Sequence, residues 1–323
     1  MKRALITGIN GQDGSYLAEF LVEKGYDVHG IIKRNSIPEN QTARIQHIYP
    51  VIKNNLYHAD MCDMSSLLSV VQRVKPDEIY NLAAQSHVRV SFDQPIYTLD
   101  TIGRGTLNLL ETIRLLDIDT KMYQASSSEM FGNSIDTDGF QRETTPMNPV
   151  SPYACAKLLA YNLVNCYRES YDIFSSNGIL FNHESPRRGI SFVTNKIVIG
   201  AVKIKKGLAN ELALGNLDST RDWGHAKDYV KIMWQLLQLD EPGDYVCATG
   251  QSHSVRQFCD ITFSKLGMNY EDHVTQDPRF LRPAELNDLK GCTKKLASVI
   301  DLKFDYTFDS MIDEMINYWM ERL

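Results

Sequence analysis

Residues 1–35, MKRALITGINGQDGSYLAEFLVEKGYDVHGIIKRN, decide the fold of this chain. Leu5 and Ile6 lie in a short apolar run, and Gly8, Gly11 and Gly14 follow it at every third position. The periodicity predicts a helix over 15–24 with Tyr16, Leu17, Phe20 and Leu21 on one face. A second apolar run at 28–32 completes a β-α-β unit. Glycines in such a turn permit a tight bend, let backbone approach a pyrophosphate and allow close packing of helix on strand. The unpaired N–H groups at the helix start then meet the anion. This reading assigns Gly8, Asn10, Gly11, Gln12, Asp13 and Gly14 to a dinucleotide cofactor.

The end of the second strand carries the choice of cofactor. An acid there bonds the ribose hydroxyls of NAD, whereas a 2'-phosphate prefers basic groups. Here Lys33 and Arg34 are followed by Asn35 and Ser36, with no carboxylate until Glu39, which favours NADP. A solvated basic pair closing a strand is the alternative.

The chain of 323 residues fits a nucleotide-binding domain plus a smaller lobe. Its net charge of -6 does not suggest a nucleic-acid surface. The 6 cysteines are scattered and form no CxxC, and no secretory leader is evident, so the expectation is a reduced, cytoplasmic protein. No apolar run is long enough to span a membrane.

The expected fold is α/β, a Rossmann-type parallel sheet flanked by helices over 1–180. A smaller mixed lobe binds substrate over 181–323, with some segments returning to the first domain. Residues 35–54 form a long loop with no strong periodicity, a length that usually serves a purpose. Strands are expected at 56–59, 78–81, 121–125 and 173–180, and helices at 65–74, 97–117 and 153–171. Asp60, after the third strand, is positioned to meet adenine. Leu82, Ala83, Ala84 and Ser86 follow the fourth strand, where small residues let cofactor come close. In the second lobe, helices are expected at 193–206, 228–239, 255–266 and 309–322. Strands are expected at 210–214 and 244–249, with a turn over 215–223 and a basic loop at 279–284.

Tyr153 and Lys157 stand one helical turn apart on one face. A phenol of ordinary pKa near 10 is a poor base at neutral pH. A neighbouring ammonium favours the phenolate and can also bond the cofactor ribose. Ser126, Ser127, Ser128 and Glu129 end the fifth strand, where open parallel sheets meet ligands. Arg187, Arg188, Arg221, Arg279 and Arg282 offer planar forks suited to phosphates. No His, Cys or carboxylate grouping calls for a metal.

GxxGxxG followed by YxxxK resembles the extended short-chain dehydrogenase/reductase family. The strings ITGINGQDGSYLAEFLVEKGYDVHGI, NLAAQSHVRVSF, YQASSSEMFG, GNLDSTRDWGHAKDYV and RFLRPAE resemble the GDP-mannose 4,6-dehydratases almost end to end. That resemblance implies Ser127, Glu129, Tyr153 and Lys157 as catalytic positions, the first commonly threonine in the family. It implies Tyr97 among the cofactor contacts. It implies substrate contacts from Ser86, Ser128, Asn182, Glu184, Arg188, Lys196, Arg221, Arg279 and Glu285, beside the catalytic Ser127, Glu129 and Tyr153. It also implies a homo-oligomer, a tetramer, with the loop at 35–44 near a neighbouring cofactor. The implied reaction converts GDP-mannose to GDP-4-keto-6-deoxymannose and water, moving hydride from C4 to C6 through bound NADP. Rival readings are a 4,6-dehydratase for GDP-manno-heptose or another GDP-sugar, a 4-reductase, an epimerase, and a non-catalytic NADP-binding protein.

Overall fold

Strand β1 (Arg3–Thr7) runs into the turn at Gly8, helix α1 (Gln12–Glu23) returns, and β2 (Asp27–Ile32) pairs parallel with β1. The computed structural model describes residues 1–36, 41–280 and 286–323. Gly8 has a φ of 69°, a left-handed value that strains any side chain. A Cβ on Gly14 would lie 2.3 Å from the Gly8 carbonyl oxygen, so glycine alone lets α1 pack onto its own turn.

The first half continues through α2 (Tyr49–Ile52), β3 (Leu56–His58), α3 (Met64–Val74) and β4 (Glu78–Asn81). Next come α4 (Val88–Asp93), α5 (Pro95–Leu99), α6 (Gly105–Leu116), β5 (Lys121–Ser127), α7 (Pro152–Tyr171) and β6 (Ser175–Leu180). The second half supplies β7 (Asn182–Glu184), α8 (Val193–Lys205), β8 (Leu212–Leu214), β9 (Thr220–His225) and α9 (Ala226–Leu237). It ends with β10 (Asp244–Cys247), β11 (Ser252–Ser254), α10 (Val255–Lys265), β12 (Val274–Gln276), β13 (Asp288–Leu289), α11 (Lys294–Ala297) and α12 (Phe308–Arg322).

The main sheet has strand order β10-β6-β5-β4-β1-β2-β3, with every pairing parallel. Strand order reverses between β1 and β4, which opens a crevice at the carboxyl ends of the strands. Alternation along β1 sends Ala4 and Ile6 into a core shared with Leu17, Leu21, Tyr229 and Met233. Leu5 faces the opposite core with Leu67, Val71, Leu110 and Val164. Both faces are thus covered, as a parallel sheet requires. A separate core joins α8, α10 and α12 through Val198, Val202, Phe258, Phe263, Met311 and Met315.

Two local expectations change. The helix expected over 97–117 is α5 and α6 joined by a π-helical segment, Asp100–Arg104. Gly103 and Gly105 serve close packing there: a Cβ on either would come 2.7 Å from Leu159 or Met61. The turn expected over 215–223 instead runs into β9, the hub of a small sheet with order β11-β9-β13 and with β7 alongside β9. The loop expected at 279–284 has residues 281–284 outside the described residues; Pro278–Phe280 is a short 3-10 turn. No helix among the described residues is long and apolar enough to cross a membrane.

Candidate active site

The chemistry-bearing side chains come from the ends of β5 and the start of α7. Ser127 closes β5 and begins a 3-10 turn, Ser128–Phe131, where its hydroxyl accepts the Glu129 N–H at 3.3 Å. Ser151 caps α7 by accepting from Ala154 N–H, and Pro152 fits the first turn because its missing donor is not needed there. Tyr153 and Lys157 are consequently fixed one turn apart, both buried, as are Ser127 and Glu129.

Burial pushes the Tyr153 phenol up to about 12, against a hydrogen bond with Ser127 that lowers it, while the Glu129 charge nearby raises it further. Burial lowers Lys157 to about 8, opposed by the carboxylate of Asp13. The expected ammonium beside the phenol takes a different form here. The Lys157 amine donates to the Ala125 carbonyl at 2.6 Å and lies 5.8 Å from the Tyr153 ring centroid. The hydroxyl of Ser127, not the lysine, is the direct partner of the phenol.

Two cavities meet at this cluster. The larger, about 660 Å³, is lined by Ser127, Ser128, Glu129, Tyr153, Lys157, Asn182, Glu184, Arg188, Lys196 and Arg279. The smaller, about 280 Å³, is lined by Gly8, Asn10, Gly11, Gln12, Gly14, Lys33, Asp60, Ala83 and Tyr97. Asp13, Leu82, Ala84, Ser86 and Arg188 line both. The smaller cleft fits a dinucleotide. The α1 N-terminus has Gly11 at its cap with no side chain satisfying the first N–H groups, and a Cβ on Gly8 would come 3.1 Å from the Ala83 Cα, so glycine lets the turn lie against the loop after β4. At its rim the Lys33 amine reaches Asp60 at 3.0 Å and donates to the Tyr97 hydroxyl at 3.1 Å.

Other candidate residues stand apart from the cavities or at their rim. Arg34 and Ser36 are exposed and line neither. Arg221 is buried, and its guanidinium donates to the carbonyls of Thr220 and Leu286, joining β9 to the segment before β13. Arg187 bonds Ser15 at 3.1 Å and pairs with Glu19 over the Tyr16 ring. Arg279 lies at the rim, gripped by Asp277 through both carboxylate oxygens, and Lys196 stands 3.4 Å from the Phe280 ring centroid. Arg282 and Glu285 lie outside the described residues, as do 37–40 of the expected subunit-bridging loop. The described part of that loop folds over its own glycine turn. Arg44 donates to the carbonyls of Arg187 and Asn10, and Asn10 donates to the Gln41 carbonyl.

Several lining residues carry no local signal in the sequence. His87 and Phe192 meet ring to ring at 5.1 Å, and Arg188 stacks on Phe192 at 3.9 Å while its Nε lies 3.2 Å from Glu184. Thr194 donates to the same buried carboxylate. His183 bridges to Asp13, 170 positions away. Only the fold brings these groups together.

Known proteins resemble this chain in sequence and in fold. A family model described as GDP-mannose 4,6 dehydratase matches residues 5–315. The chain is 49% identical to GDP-mannose 4,6 dehydratase 1 of Arabidopsis thaliana, covering 99% of this chain and 90% of that one. In fold it is similar to the UDP-glucose 4-epimerase of Thermus thermophilus complexed with NAD, with a TM-score of 0.85 and 23% identity over 99% of this chain and 100% of that one. It is similar too to RMD from Pseudomonas aeruginosa complexed with NADPH, with a TM-score of 0.83 and 22% identity over all of both chains. A parallel sheet with its glycine turn, a serine-glutamate-tyrosine-lysine cluster at the crevice and a match over nearly the whole length have one consistent meaning: the chain belongs to the GDP-mannose 4,6-dehydratase family.

Proposed function

We propose that the protein is an NADP-dependent dehydratase converting GDP-mannose to GDP-4-keto-6-deoxymannose and water. Glu129 is the observation that carries this reading: a buried carboxylate grouped with Ser127 and Tyr153 on one cavity wall. An alcohol dehydrogenase needs serine, tyrosine and lysine, and has no use for a second base; a dehydratase needs one for the C5 proton.

In this mechanism Tyr153 takes the proton of the C4 hydroxyl while Ser127 hydrogen-bonds the C4 oxygen. With its pKa held up by burial, the phenol becomes a base only when positive charge surrounds it; the Arg188 charge already pulls it down, and Lys157 as an ammonium one helical turn on would add to that. A nicotinamide held beside Tyr153 and Lys157 would supply reversible hydride storage between C4 and C6 of the sugar. The C4 ketone acidifies C5–H; Glu129 removes that proton and passes it to the C6 hydroxyl, which leaves as water. Two protons leave the C4 hydroxyl and C5; one departs with the water and one returns to C5. Gly8 to Gly14, Ala83 and Ala84 would hold the dinucleotide, with Lys33 and Arg34 toward the 2'-phosphate. The cations Arg188, Lys196 and Arg279 would meet the GDP diphosphate. Assembly into a homo-tetramer, with the 35–44 loop near a neighbouring cofactor, belongs to the same reading.

The test is incubation of purified protein with GDP-mannose and, in parallel, GDP-manno-heptose, with no reductant added. Product lighter by one water, with the alkali-induced absorbance of a 4-keto sugar, is expected from GDP-mannose; no product from any GDP-sugar sinks the proposal, and product from the heptose alone reassigns the substrate. For the cofactor, replacing Lys33 and Arg34 together by alanine should weaken NADP by roughly tenfold or more, about 1.4 kcal/mol, and NAD far less. Equal weakening of both in fluorescence titrations would remove the 2'-phosphate argument.

A further inference from the structure

The arm between β7 and α8 carries two arginines, of which Arg188 alone lines the cavities. Its backbone shows what aims that side chain. The Ser185 hydroxyl accepts the Arg187 N–H at 3.0 Å, and the Ser185 carbonyl accepts the Arg188 N–H at 3.0 Å. Together they close a tight turn that ends at Arg188. Asn195 on α8 donates to the Arg188 carbonyl at 2.7 Å, and Phe192 and Glu184 flank the guanidinium.

The same hydroxyl reaches across to the glycine turn. It donates to the Gln12 amide oxygen at 2.8 Å, and the Gln12 amide nitrogen donates to the His183 carbonyl at 3.1 Å. One planar amide at the start of α1 therefore grips the arm on both sides of Glu184. Gln12 lines the smaller cavity, whereas Ser185 is fully buried and lines neither, so the serine touches no ligand in either one. His183 and Arg187 also bond α1, through Asp13 and Ser15. Of these three contacts, only that of Ser185 also closes the turn that carries Arg188.

We propose that Ser185 is a positioning residue that couples the two cavities: through Gln12 it joins the glycine turn to the arm that aims Arg188, so that each ligand strengthens the binding of the other. A dinucleotide that fixes the first turn of α1 fixes Gln12. Gln12 then holds the arm, and the guanidinium already stands in place for a nucleoside diphosphate. The ordering is shared, so the second ligand to bind meets less of its cost. The identity of the two ligands rests on the dehydratase reading; the linkage of the two cavities does not.

The test is calorimetric titration of the full chain with GDP, once freed of cofactor and once saturated with NADP+. GDP should bind the parent about tenfold tighter when NADP+ is present, and NADP+ should gain the same factor from GDP, because coupling is reciprocal. In Ser185→Ala both factors should fall below about twofold. Thr262→Val is the control for a merely structural loss. It removes a buried hydroxyl that donates to the Phe258 carbonyl within α10, so it lowers stability and should keep the parent's coupling. Gln12→Met removes both amide bonds and should also lose the coupling; it decides if circular dichroism shows that Ser185→Ala does not fold. A parent without coupling, or a folded Ser185→Ala or Gln12→Met protein that keeps it, overturns the proposal. GDP that binds neither form overturns the proposal and the GDP-sugar reading together. Coupling lost in Ser185→Ala, in a chain inactive on every GDP-sugar, retains this inference and removes only the dehydratase reading.

Discussion

Replacing Glu129 by glutamine is expected to slow formation of the 4-keto-6-deoxy sugar by about three orders of magnitude, within the range for loss of a positioned general base. The substitution keeps the shape of a side chain that is 8% exposed, and the Ser127 cap of the following turn uses the backbone N–H, which is unchanged. An amide cannot take a proton from C5 at neutral pH, so elimination stops after oxidation at C4. Ser127, Tyr153 and Lys157 remain, so that first step survives. Reduced nicotinamide should accumulate on the variant, visible as near-ultraviolet absorbance, whereas the parent protein returns it within each turnover. Water loss continuing at the parent rate would show that another group removes the C5 proton.

The parts of this machinery legible in the sequence are those whose causes are local. The glycine turn, α1 and β2 lie within one continuous stretch, and their glycine spacing and apolar periodicity suffice to predict them. Tyr153 and Lys157 are legible because one helical turn separates them. The rest depends on distant pairings. β13 is two residues long and β11 is three, and they exist because β9 is there to pair with them. A string such as DSTRDWGH has no clear alternation, since Arg221 and Asp222 are both buried and each bonds groups far along the chain, Arg221 the Leu286 carbonyl. Asp222 accepts from the backbone of Thr249, Gly250 and Gly291. The arginine-rich segments show the same limit. Composition marks Arg187 and Arg188 alike, yet one grips Glu19 on α1 and the other lines both cavities. Asp13 reads as a cofactor residue from its place in the turn, while its bond to His183 requires β7 to lie beside α1.

Gly14→Ala should release the cofactor. The added methyl carbon would stand 2.3 Å from the Gly8 carbonyl oxygen, 2.7 Å from the Ile9 Cα and 2.9 Å from the Ile9 carbonyl carbon. All three are backbone atoms, so no rotamer change relieves the contact, and ordinary van der Waals distance is regained only if α1 or the turn moves. The move breaks the geometry in which Gly11 N–H donates to the Gly8 carbonyl at 2.9 Å and Ser15 N–H to the Gly11 carbonyl at 3.1 Å. The N–H groups at the helix start then no longer converge on one point, and Asp13 is drawn away from His183. Overpacking of this kind costs about 1–3 kcal/mol of stability. The loss in dinucleotide affinity should be about a hundredfold, or about 2.8 kcal/mol, because several anion contacts shift together. Gly25→Ala is the control. Gly25, unlike Gly14, has a left-handed φ, 78°, and a Cβ there meets nothing within 4 Å. It should cost about 1–2 kcal/mol of backbone strain and leave cofactor affinity unchanged. Calorimetric titration of both variants separates the two effects. A Gly14→Ala protein that bound the dinucleotide as tightly as its parent would mean that the contact between α1 and its turn does not build the phosphate site.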